Sequence, residues 1–133
     1  MIRRERDLMM RWIQTLTAAL DRIMHGRNDD NTENSEKELE KAYTEFFGKD
    51  RAYFRGDWEP EKEFGKDEEG FLKAEYMAKL LLADADAQTG TDKEKELLEK
   101  AESLLLFLEQ ESGVASFERM GLLASIGRRL GRK

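Results

Sequence analysis

Few side chains in this sequence are of a type and spacing that could do chemistry. There is one histidine, His25, and no cysteine, which removes thiol nucleophiles, disulfides and thiolate metal sites together. A lone imidazole near a helix C-terminus suits the macrodipole as a cation but has no nucleophile to activate, so His25 reads as a capping or surface residue. Asp29, Asn31, Glu33, Ser35 and Glu40 fall on some ligand positions of a calcium-binding loop. Asn34 stands where the sharp turn needs glycine, and Lys37 puts the wrong charge at a ligand position, so a loop with a helix cap is expected instead. Asp84 and Asp86 lie two apart on a helix, point in different directions and read as solvated charge or partners of neighbouring lysines. Arg55-Gly56-Asp57 reads as a turn. No catalytic, cofactor or metal site is assigned, and the chain is not expected to be an enzyme.

Two groups of residues could bind rather than react. Tyr53, Phe54, Trp58 and Phe64 gather in one segment; they read first as a loop docked on the core, and second as a pocket or partner surface, since pockets combine aromatics with a few polar groups. The other group is basic. Residues 1–27 carry six basic and three acidic side chains, and residues 119–133 carry five basic and none acidic, so with a total of −6 the stretch 28–118 carries −14. Phosphate contact needs clustered Lys and Arg, which only the ends supply. If those ends meet, Arg3, Arg4, Arg6, Arg128, Arg129, Arg132 and Lys133 form one patch; the leading reading is separate, solvated or locally balanced cations.

The elements that position these residues are helical. Hydrophobic and charged residues each make up 39% of the chain and there is one proline, Pro60, leaving long stretches free for helix and requiring the apolar groups to concentrate on few faces. Apolar residues from Leu8 through Trp12 and Leu16 to Met24 recur at three- and four-residue steps and predict a first helix over about residues 4–25, with Trp12 buried and Gly26 as its stop. Ser35 and Glu38 form a capping box for a second helix ending near Phe47. Periodicity is lost over 49–70, where either the aromatics dock or a short helix intervenes. A third helix is predicted over Glu68–Thr89 and a fourth after Thr91-Asp92. A fifth follows Ser116, with Phe117, Met120, Leu123, Ile126 and Leu130 as its inner stripe. The fold expected is all-α: about five antiparallel helices in a repeat-like hairpin bundle with one irregular aromatic segment, in a single domain over 1–133.

The opening Arg3-Arg4-Glu5-Arg6-Asp7-Leu8-Met9-Met10-Arg11-Trp12-Ile13, continuing to Leu20 and Ile23, resembles the start of a family of small bacterial helical proteins of unknown function. The resemblance implies a bacterial source and transfers no site residue. The hairpin from Phe71 to Leu108 resembles a tetratricopeptide-repeat unit in shape, without a second copy at a fixed period.

No stretch approaches the roughly 20 apolar residues needed to span a bilayer, and the N-terminus does not read as a signal peptide, so a cytoplasmic location is expected. The functional expectation is a helical protein-interaction or scaffold module, self-association included, with no cofactor and no membrane. The alternative is a small-ligand or nucleic-acid binder using the basic termini or the aromatic segment.

Overall fold

Helix propensity carries through almost the whole chain, and the order of elements is α1 (Ile2–Asn28), α2 (Thr32–Phe47), α3 (Arg51–Arg55), α4 (Pro60–Phe64), α5 (Glu68–Ala87), α6 (Asp92–Glu111) and α7 (Phe117–Arg129). The computed structural model describes residues 2–28 and 32–132, with side chains described for 7–25 and 34–132. The protein is all-α, and no strand occurs among the described residues. Contacts group the chain into two compact units, Met1–Phe54 and Arg55–Lys133. Among the described residues, no helix is long and apolar enough to cross a membrane.

The first unit is built on α1 and α2. Trp12 meets Phe46 and Ile23 meets Ser35, so early residues of one helix face late residues of the other and the pair is antiparallel. Leu16, Ala19, Ile23, Leu39, Ala42 and Tyr43 fill the interface with at most 2% exposure. Trp12 is partly buried: its Nε1 donates to the Phe46 carbonyl at 3.3 Å, and its ring meets Phe46 and Phe47 edge-on. Two expectations change here. Ser35 is not an N-cap, because α2 begins at Thr32 and the buried hydroxyl donates to the Ile23 carbonyl at 2.9 Å. The expected stop at Gly26 is overrun by α1, which ends at Asn28. Past α2, Gly48 takes the left-handed conformation (φ 80°), and α3 brings Arg51 back to Glu36 at 2.6 Å and Phe54 onto Tyr43, ring centroids 5.9 Å apart.

The second unit is built on the α5–α6 hairpin. Gln88–Thr91 links the two helices, Gly90 adopts φ 87° within that link, and Phe71 meets Phe107 at the far end, as antiparallel helices require. Met77, Ala78, Leu80, Leu81, Leu97, Leu98, Ala101, Leu104 and Leu105 form its core at 1% exposure or less. The segment over 49–70 is not irregular throughout, because α3 and α4 lie within it. Pro60 begins α4, where its missing N–H has no intrahelical partner to lose, and Asp67 caps α5 by accepting from the Gly70 N–H at 2.7 Å. Gly70 is fixed by close approach, since a Cβ there would stand 2.0 Å from the Phe64 carbonyl oxygen.

α7 returns antiparallel to α6, Arg119 reaching Glu109 and Arg129 reaching Glu94. Its inner face keeps Ile126 of the expected stripe, buried at 1% exposure, but departs from it at the start: Phe117 is 92% and Met120 54% exposed, whereas Arg119 is buried. The cause is that Arg119 neutralises carboxylates on the hairpin, which outweighs turning Phe117 inward.

A candidate partner groove on the second unit

The first two turns of α5 place Glu68, Phe71, Leu72 and Glu75 along one face, the i, i+3, i+4, i+7 spacing of a helical stripe. Together with Leu108 near the end of α6, Ser112, Val114 in the link and Arg119 in the first turn of α7, they line an open groove of about 480 Å³. Its floor is apolar and carboxylates border it.

The wall on the α7 side is held by Arg119. Its Nε donates to Glu109 Oε1 at 2.6 Å and its Nη2 to the Val114 carbonyl, while its Nη1 lies 3.9 Å from Glu75 Oε1. Ser116 caps the helix by accepting from the Arg119 backbone N–H at 3.1 Å. A guanidinium 5% exposed is thus satisfied on several sides, and it ties the α6–α7 link to both hairpin helices. The segment it anchors exposes large apolar side chains: Val114 at 66%, then Phe117 and Met120.

Farther along α7 the same unit is fastened by charge. Arg129 bridges Asp86 on α5 at 2.8 Å and Glu94 on α6 at 2.9 Å, and Arg132 pairs with Glu102. The hydrogen bond from Arg129, followed by that from the Gly90 N–H, holds the Glu94 carboxyl below its ordinary pKa. Burial alone would lower the Arg129 pKa; its bonds to Glu94 and Asp86 and their charges outweigh burial and raise it. Of the expected basic patch, Arg129 and Arg132 are therefore spent within the fold and Arg128 is exposed. The side chains of Arg3, Arg4 and Arg6, and Lys133, lie outside the described residues, as do Asp29 and Asn31 of the calcium-loop pattern.

The four aromatics divide between the two units. Tyr53 and Phe54 belong to the first unit and Trp58 and Phe64 to the second. Phe54 is buried at 1% exposure and offers no surface to a partner, whereas Tyr53 is exposed under the Lys49 ammonium, 4.4 Å from its ring centroid. Trp58 packs edge-on against Phe64 at 5.9 Å, and Lys100 lies 5.9 Å above the indole while donating to the Gly56 carbonyl. Lys100 and Arg55 also line a polar cleft of about 390 Å³ with Asp57, Glu96, Glu99 and Ser103, but both cations are engaged, Arg55 with Asp84. Asp84, read from sequence as solvated, is fully buried by that contact.

His25 Nδ1 lies 2.9 Å from the Asp21 carbonyl on an exposed face, a local contact within α1. Among the described residues no group of His, Asp or Glu is placed to hold a metal ion. No protein-family model, no curated protein and no solved structure matches the chain.

The groove residues escaped the sequence reading. Phe71, Leu72 and Leu108 have the spacing of core stripes, and a stripe does not reveal which part of its helix a neighbour leaves uncovered. Two signals were present: the apolar Val114-Ala115 directly after Gly113 in a link, and Arg119 inside an otherwise apolar helix face.

Proposed function

We propose that this protein is a protein-interaction module that binds through the groove on the second unit. One observation carries the reading: an open groove of about 480 Å³ floored by Phe71, Leu72 and Leu108 adjoins a link and helix start that expose Val114, Phe117 and Met120. Exposed apolar surface of this kind costs solubility, and in a folded protein it commonly marks a binding surface. The nucleic-acid alternative is weakened by the pairing of Arg129 and Arg132 with carboxylates of the same unit, because engaged cations release few counterions on meeting phosphate.

The test is affinity capture with the wild-type chain, Leu72→Lys and a control, Lys41→Glu, on the first unit. Circular dichroism establishes that all three are equally folded. A protein retained by the wild type and control but lost from Leu72→Lys supports the groove; equal retention by all three overturns it.

A further inference from the structure

Resting on the reading of the groove as a binding surface, we infer that its partner is a cationic amphipathic helix, with Lys or Arg flanking a bulky apolar side chain. The α5–α6 hairpin already holds one helix of this kind, its own α7. Arg119, Arg129 and Arg132 reach Glu75, Asp86, Glu94, Glu102 and Glu109 on the two hairpin helices, and Ile126 is buried between these ion pairs. Cations placed before and after one buried apolar anchor, and met by hairpin carboxylates, are thus the terms on which this hairpin accepts a helix.

The groove offers the same terms again. Phe71, Leu72 and Leu108 supply the apolar floor, and Glu68 and Glu75 stand on either side of it along α5. Two helical turns separate the two carboxylates, about 10.5 Å along the axis, the distance between residues seven apart on a helix laid along α5. Glu68 is exposed and has no ion pair among the described residues. The one cation in the lining, Arg119, is shared between Glu109 inside the fold at 2.6 Å and Glu75 at 3.9 Å, so one guanidinium faces two carboxylates while Glu68 adds a third. The rim therefore carries net negative charge around an apolar floor, which attracts a basic partner and repels an acidic one. The floor sets the apolar anchor and the carboxylates set the partner's charge, as in other helix-in-groove complexes.

The test is fluorescence anisotropy with the full chain and three labelled helical peptides of about four turns. One carries Arg at i and i+7 around Leu at i+3 and i+4; a second replaces both Arg by Glu; a third replaces both Leu by Ala. Only the Arg–Leu peptide is expected to bind, more weakly as salt rises. Glu68→Lys is expected to weaken it by about tenfold and to admit the Glu peptide, a gain of binding that structural damage would not produce. If the Glu peptide binds the wild-type chain as tightly as the Arg peptide, and Leu72→Lys abolishes both, the charge inference fails while the groove stands. If the Arg–Leu peptide does not bind, or binds Leu72→Lys and Glu68→Lys undiminished, the inference is overturned; the capture experiment then decides separately on the groove.

Discussion

Arg55 holds the carboxylate of Asp84 through two hydrogen bonds, Nη2 to Oδ1 at 2.8 Å and Nε to Oδ2 at 3.3 Å, and Asp84 has no exposure to solvent. The pair fastens the residue just before the Gly56 turn to the middle of α5. The Arg55 side chain retains 22% exposure, so the partners are unequal: without Asp84 the guanidinium can turn to water, whereas without Arg55 the enclosed carboxylate cannot replace the lost charge partner with solvent. Arg55→Ala is therefore expected to cost about 3–5 kcal/mol, the range for removing one partner of a buried ion pair, and Asp84→Asn less. Urea midpoints of the two variants decide this. Equal losses would mean that burial asymmetry does not govern the pair.

Glycines at two helical positions should respond in opposite senses. A Cβ at Gly70 would stand 2.0 Å from the Phe64 carbonyl oxygen, whereas one at Gly121 meets nothing within 4 Å. Gly70→Ala must push α4 from α5 and should destabilise by about 1–3 kcal/mol, the scale of overpacking. Gly121→Ala gains helix propensity in α7 and should stabilise by about 0.5–1 kcal/mol. Thermal unfolding of both variants checks the sign of each.

The Glu94–Arg129 bond makes α7 sensitive to acid. Because the Glu94 carboxyl lies below its ordinary pKa in the folded chain, its contribution is complete above the unfolded carboxylate value. It is lost as pH falls through the lower folded value. Glu94→Gln should therefore be less stable than the wild type at neutral pH, with the difference shrinking toward zero under acid. Denaturant midpoints across that range test it; a constant difference would show that a neutral hydrogen bond suffices.

Trp12 combines ring packing with one directional bond to the Phe46 carbonyl. Trp12→Phe keeps most of the packing and removes the donor, and should cost about 0.5–1.5 kcal/mol. Trp12→Ala should cost less than the roughly 3–5 kcal/mol typical of an enclosed aromatic, because the indole is only partly buried. Denaturation monitored by circular dichroism separates the two substitutions.

The sequence by itself determined the helical class, the inner faces of α5 and α6, the N-cap at Ser116, and the glycine turns at Gly48 and Gly90. In each case the information is local: a 3.6-residue repeat, a hydroxyl accepting from an N–H three residues on, or a backbone angle that glycine adopts freely. It did not determine which of two competing partners a side chain takes across the fold. Ser35 could cap its helix or bond to α1, and α1 won. Phe117 and Arg119 competed for the inner side of α7, and the carboxylates of α5 and α6 favoured the arginine. Asp84 looked like surface charge because Arg55, 29 positions away, gives no local sign of reaching it. The groove, too, exists only in three dimensions, where α5 begins beside the end of α6 and Phe71 and Leu72 stay partly uncovered above the buried Leu108. Periodicity tells a residue which face it shares; only the neighbouring elements decide whether that face is covered.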